Sequence, residues 1–267
     1  MIRFNAKSRT LVIRLPSWRD RRWLYAVGLF VLLDLLASFV DRPLAQALSQ
    51  LGPEVTRPFQ YIARASDAMF YAIPLTLVLP FLLAARQALN DGSLRRVLGW
   101  GLQGILFVLA CLTLSAVIVD VLQGIIGRTR PNLWFMQDIY GFAPFSFGAS
   151  GYNSFPSGHS ATVFAVGMAF GLLMPPLRRL FLSLAALVVA SRLIINSHYL
   201  TDLLVGGTIA VLVALGLRHL FAKRGWVFLQ RHGQYRLAAP GYWLGVKIRS
   251  LLWERLGLSD GARGRLP

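Results

Sequence analysis

The sequence predicts an all-α fold: a polytopic membrane bundle of six transmembrane helices. Three observations carry this. Hydrophobic residues make up 55% of the 267-residue chain and the mean hydropathy is +0.55, too apolar for an ordinary soluble domain of this length. Several apolar runs approach the ~20 residues that a bilayer span needs. The basic residues, which give a net charge of +17, cluster in the segments flanking those runs rather than forming a nucleic-acid surface.

The chain divides into a basic segment 1–22, a six-span domain 23–221 and a basic, amphipathic segment 222–267. Residues 1–22 interleave Leu11, Val12, Ile13 and Leu15 with seven Lys and Arg, a pattern suited to anionic headgroups. The first span covers Trp23 to Val40, too long for a signal-peptide core, and carries Asp34 in a structural hydrogen-bonding role. The segment 41–67 is a mixed-polarity loop that can hold a short surface helix. The second span, Ala68 to Ala85, contains Pro74 and Pro80, which predict kinks. The third runs from about Val97 to Ile126, with Gly99, Gly101 and Gly104 permitting close packing.

An aromatic-rich loop, 127–156, follows. It reads either as a lip at a lipid entrance or as packing against the domain. The fourth span runs from Gly158 to Met174, with Gly167 and Gly171 four residues apart as a packing face. The fifth covers Leu180 to Ile195 and the sixth Asp202 to Phe221. Beyond Pro240, Leu244, Ile248, Leu251, Leu252 and Trp253 fall near one helical face. The single cysteine, Cys111, lies within an apolar run, which excludes an intrachain disulfide.

Orientation follows from charge. Of 28 Lys and Arg, 22 fall on one proposed side together with both termini. That side is the cytoplasm, so the opposite side is the outer face of the membrane.

Three polar blocks then fall together on the outer side: Gly127-Arg128-Thr129-Arg130-Pro131, Phe155-Pro156-Ser157-Gly158-His159-Ser160, and Ser191-Arg192 with His198 and Asp202. A Pro-Ser-Gly turn feeding a helix leaves unpaired N–H groups that favour an anion. Arg130 and Arg192 bring planar forked donors for phosphate oxygens. Ser157 and Gly158 add donors at the helix start. His198 is the expected nucleophile. Asp202, four residues on, orients it if the segment is helical. His159 is the general acid, protonating the leaving oxygen and then activating water. No carboxylate or His/Cys cluster suggests a metal site, so catalysis without metal or other cofactor is expected.

These blocks resemble the signature of the type 2 phosphatidic acid phosphatase superfamily: Lys-x6-Arg-Pro, Pro-Ser-Gly-His, and Ser-Arg-x5-His-x3-Asp. The second and third blocks match in full. In the first, Arg130-Pro131 is present, but Gln123 stands where the family has Lys. The resemblance spans about residues 65–220. It implies six helical spans, a histidine nucleophile, a histidine acid, no metal, and a phosphorylated lipid as substrate, drawn from phosphatidic acid, phosphatidylglycerophosphate, polyprenyl diphosphate or lipid A. Together with the short loops, it also implies a bacterial inner membrane with the site facing the periplasm. The expected activity is hydrolysis of a lipid phosphate or diphosphate through a phosphohistidine. The alternatives are a phosphotransferase using the same chemistry and a non-catalytic lipid-binding protein. The expected partners are the bilayer and the lipid substrate, not nucleic acid. Oligomeric state is not encoded in these features. Set against the family pattern, Gln123 and Arg128 join the expected phosphate-binding set: Gln123 and Arg130, seven residues apart, would share a pocket on a continuing helix, and either Arg128 replaces the missing lysine charge or the substrate's shape or a second phosphate favours a neutral donor.

Overall fold

The computed structural model describes residues 2–5, 10–13, 28, 31–32, 35–231 and 233–238. Asp34, most of the first expected span and the amphipathic segment beyond Pro240 lie outside these residues. Near the N-terminus β1 (Ile2–Asn5) pairs antiparallel with β2 (Thr10–Ile13). The segment 41–67 is largely helical. A π-helical turn, Ala37–Asp41, leads into α1 (Arg42–Ser49), and α2 (Pro53–Arg64) starts at a proline, where the missing N–H costs nothing.

The bundle follows: α3 (Met69–Ala88), α4 (Gly92–Ile126), a short α5 (Pro131–Gln137), α6 (Gly158–Leu173), α7 (Arg178–Ile194) and α8 (Leu200–Lys223). A hairpin of β3 (Phe228–Arg231) and β4 (Gln234–Leu237) packs after α8. Five of the expected spans thus correspond to helices with ends shifted by a few residues. Three helical stretches, Pro53–Ala88, α4 and α8, are long and apolar enough to cross a membrane. α6 is apolar but has only 16 residues, about 24 Å at ~1.5 Å per residue. α3 runs through both Pro74 and Pro80 as one helix.

α6 is the central helix. It packs against α4, α7 and α8, and its buried small residues Ala161, Ala165 and Ala169 join Phe107, Cys111 and Ala210 in the core. The Gly167/Gly171 face meets α7 as expected: a Cβ on Gly167 would lie 3.0 Å from the Phe181 carbonyl oxygen. Gly104 packs near Leu173, whereas Gly101 faces open space, so only part of the expected α4 glycine face is used. The outward faces of α3 and α8 are apolar, with Phe81 74% exposed and Leu212 62% exposed. That is the surface a helix presents to lipid rather than water.

Helix ends set the site. Gly127 ends α4 in the left-handed conformation (φ +62°), its N–H bonded to the Gln123 carbonyl at 2.8 Å. This is a C-terminal stop that glycine adopts at low cost. A side chain there would collide with the Ala143 carbonyl. The end of α4, the start of α6, the end of α7 and the start of α8 converge at one end of the bundle, with the loops at 127–130, 152–157 and 195–199.

Candidate active site

His198 sits in the loop before α8 and is fully buried. Its Nδ1 lies 3.0 Å from the Ser154 carbonyl oxygen. A carbonyl only accepts, so Nδ1 carries the proton and Nε2 carries the lone pair. That Nε2 lies 3.1 Å from Nδ1 of His159, the second residue of α6, so His159 donates. The two expected catalytic histidines are thus brought into direct hydrogen-bond contact. Burial pushes His198 below the usual histidine range, assisted by the Arg130 charge and opposed by Asp202.

The expected link between His198 and Asp202 is corrected. α8 begins at Leu200, so His198 precedes the helix and the four-residue spacing is not a helical face, although Asp202 still lies within ion-pair distance of His198. Asp202 Oδ2 is 3.9 Å from His198 Nδ1, beyond hydrogen-bond range. That oxygen instead accepts from the Ser154 hydroxyl at 2.5 Å and from the Tyr199 N–H at 2.9 Å. Asp202 therefore acts on His198 through Ser154, whose hydroxyl it holds and whose carbonyl fixes the imidazole.

Arg128 is also corrected. Its guanidinium donates to Asp202 Oδ1 at 2.6 Å and to Asp41 Oδ2 at 2.8 Å, and only 3% of the side chain is exposed. Burial disfavours its charge, but Asp202 and Asp41 outweigh that and raise its pKa. Thr201 closes the cluster, donating to Asp41 through both N–H and hydroxyl. An arginine committed to two buried carboxylates has little left for a phosphate. Arg128 is a brace tying the chain at Asp41 to the start of α8.

Gln123 is corrected for a different reason. The helix that was to align it with Arg130 stops at Ile126. Its Nε2 donates to the Pro156 carbonyl at 2.7 Å, fastening the turn before α6 to α4. Ser157 likewise serves the helix start: its hydroxyl caps the Ser160 N–H at 3.3 Å and its own N–H donates to the Asp202 carbonyl at 2.9 Å. Gly158 and His159, the first two residues of α6, keep N–H groups with no intrahelical acceptor. Gly206 lets α8 come this close, since a Cβ there would collide with the Ser157 carbonyl.

Arg130 and Arg192 are the two arginines expected to meet phosphate. Both are half-buried, and neither has a carboxylate partner within 4 Å among the described residues. Burial lowers the Arg130 pKa, opposed only by Asp202. Its Nε is buried without an acceptor among the described residues. Arg192 is aimed by Ser66, whose hydroxyl accepts from Nε at 2.8 Å while donating to the Ala63 carbonyl at 2.6 Å. Two undercompensated guanidinium groups beside a histidine pair and a helix N-terminus are chemically suited to a multiply charged oxyanion.

Asp41, Ser66, Ser154 and Thr201 escaped the sequence reading. Of these, only Ser154 had a usable signal, its place two residues before the Pro-Ser-Gly-His block.

The aromatic residues of loop 127–156 divide between packing and exposure. Trp134 and Tyr140 pack on the domain under Arg42, whose guanidinium carbon lies 4.9 Å and 4.4 Å from the two ring centres. Phe142, Phe145 and Phe147 are exposed by 60–74%.

Residues 104–226 match the model of the PAP2 superfamily. A lipid A 1-phosphatase of Rhizobium johnstonii is 34% identical over 134 residues, covering 50% of this chain and 52% of that protein. A lipid A 1-phosphatase of Rhizobium etli is 33% identical over 134 residues, covering 47% of this chain and 57% of that protein. The chain thus spans a little over half the length of these curated relatives. Among solved structures, a transmembrane PAP2-type phosphatidylglycerolphosphate phosphatase from Bacillus subtilis aligns over 74% of this chain and 96% of its own. Its TM-score is 0.51 at 20% identity, a likeness of fold.

Proposed function

We propose that this chain, which carries a PAP2-superfamily domain over residues 104–226, is a membrane phosphatase that removes a phosphate from a lipid through a phosphohistidine on His198. The observation that carries the reading is the His159–His198 contact beside two arginines that lack carboxylate partners.

In the proposed reaction Nε2 of His198 attacks phosphorus as the bond to the lipid oxygen breaks, and that oxygen takes a proton from His159. Water then attacks the phosphohistidine, losing its proton to His159, and inorganic phosphate leaves. Arg130, Arg192 and the Gly158 and His159 N–H groups neutralise the equatorial oxygens. Charge neutralisation thus falls to protein groups, and the proposal includes catalysis without metal. The phosphoryl group must enter between the two imidazoles. In-line transfer puts nucleophile and acid nitrogens about 6 Å apart, judged from ordinary reacting and hydrogen-bonding distances. The 3.1 Å contact is then a closed resting pair that substrate parts.

An apolar groove of 460 Å³ supports a lipid substrate. Phe164, Leu193, Leu200, Leu204 and Val211 from α6, α7 and α8 help line it. Leu193 follows Arg192 directly and Leu200 is two residues past His198, so an acyl chain in the groove would leave its phosphate at the histidines. The names of the Rhizobium relatives make a lipid A-type phosphate the first substrate to test. The proposal extends to a six-span domain at 23–221 between basic cytoplasmic segments, in a bacterial inner membrane with the site facing the periplasm.

The deciding experiment incubates the purified full chain in detergent with a panel of lipid A, phosphatidic acid and phosphatidylglycerophosphate. Release of inorganic phosphate by wild type and not by His198→Ala supports hydrolysis. Phosphate appearing on a second lipid makes the chain a transferase, and neither product contradicts catalysis.

A further inference from the structure

A second polar pocket lies at the other end of the bundle. Arg86 near the end of α3, Arg95 and Arg96 near the start of α4, and Trp100 line a cavity of 460 Å³ whose wall holds no carboxylate among the described residues. Asp91, the acid beside it in sequence, is committed to the start of α4, accepting from the Ser93 and Leu94 N–H groups at 2.6 and 3.4 Å. None of the three arginines has an ion-pair partner within 4 Å among the described residues. The buried indole N–H of Trp100 has no acceptor among those residues either. Arg96 also donates to the Ser93 hydroxyl at 3.2 Å. Among the described residues, three arginines without a carboxylate and a donor without an acceptor surround one cavity, an arrangement suited to a phosphate-bearing group.

This pocket continues into an apolar groove of 580 Å³, sharing Arg86, Gly99 and Gln103 with it. Leu79 and Leu83 of α3 and Leu102 and Leu106 of α4 line the groove, with Trp226. Gly99 makes the junction: a Cβ there would lie 3.4 Å from Arg86 Nε, so Arg86 reaches across bare backbone of α4. Along both helices the cations stand at the polar end and the leucines deeper in the apolar stretch. A phospholipid has the same order, charged headgroup and then chain. From Gly99 to Gln123 along α4 is about 36 Å, more than the ~30 Å hydrocarbon thickness. The two polar sites therefore face opposite leaflets.

We propose that this pocket and groove bind one anionic phospholipid, with its phosphate among Arg86, Arg95 and Arg96 and an acyl chain between α3 and α4, in the leaflet opposite the histidines. The bound lipid neutralises the arginine cluster and fills the α3–α4 seam. It is separate from the lipid whose phosphate the histidines process.

Native mass spectrometry of the full chain with equimolar dioleoyl phosphatidylglycerol and dioleoyl phosphatidylcholine tests this. Wild type should retain phosphatidylglycerol selectively. The Arg86→Gln/Arg95→Gln/Arg96→Gln variant should lose about tenfold or more of that retention while keeping turnover of a soluble aryl phosphate, which shows that it folds. Gly99→Leu, which keeps the charges but fills the junction, should also lose it. Arg130→Gln/Arg192→Gln, altered only at the histidine site, should keep it. The proposal is overturned by equal retention of the two lipids, by retention in the triple variant, or by loss of the adduct in Arg130→Gln/Arg192→Gln alone.

Discussion

His198 is oriented by the backbone of Ser154: Nδ1 lies 3.0 Å from its carbonyl oxygen, whereas Asp202 stays 3.9 Å away and binds the Ser154 hydroxyl. Ser154→Ala removes the hydroxyl anchor but keeps the carbonyl. Turnover should fall by about tenfold to a hundredfold, the scale of losing a charged hydrogen bond worth ~1.5–3 kcal/mol, without being abolished. Kinetics on a lipid phosphate decide it. Full activity in Ser154→Ala would remove the relay from Asp202.

Arg128 and Arg130 are two residues apart and should fail in different ways. Arg128→Gln leaves Asp41 and Asp202 buried without their cation, a loss of about 3–5 kcal/mol of stability. Arg130→Gln should leave the melting temperature nearly unchanged and lower kcat/KM by about a hundredfold or more. Thermal melts and kinetics on both variants check this. A stable Arg128→Gln whose only defect is turnover would return Arg128 to the phosphate.

Gln123 should behave as a fastener. Gln123→Ala loses one neutral hydrogen bond to the Pro156 carbonyl, about 1 kcal/mol, and should keep turnover within tenfold. A sharp change of substrate preference in Gln123→Lys or Gln123→Ala would instead make it a specificity residue.

The buried His198 sets a pH dependence of stability. Its folded pKa lies below the unfolded value of about 6.5, so the unfolded chain binds the extra proton first as pH falls. The stability associated with neutral His198 is complete above about pH 6.5. It is lost at lower pH at up to about 1.4 kcal/mol per pH unit, until the folded state protonates too. From pH 7.5 to 4.5 the melting temperature of wild type should therefore fall more steeply than that of His198→Gln. Parallel curves would contradict a depressed His198 pKa.

The bundle helices were legible because apolar runs are local signals. The histidines, Arg130 and Arg192 were legible because they recur in one ordered pattern. The supports were not. Asp41 meets Arg128 across 87 positions and Ser66 meets Arg192 across 126, contacts that only the folded chain creates. The misplaced roles share one cause. Helical spacing was extended past Gly127 and back before Leu200, and at both points the chain is not helical. Beyond those ends, four or seven residues no longer mean one face.

The central claim is that the phosphoryl group passes to His198. Rapid-quench trapping with a radiolabelled aryl phosphate tests it most directly, using wild type, His159→Ala and His198→Ala matched for folding by thermal melts. The account predicts an acid-labile, base-stable label on wild type. His159→Ala should be labelled as well, since an activated leaving group needs little proton help, and His198→Ala should carry none. Label on folded His198→Ala, or turnover by wild type with no labelled enzyme at any time point, would contradict it.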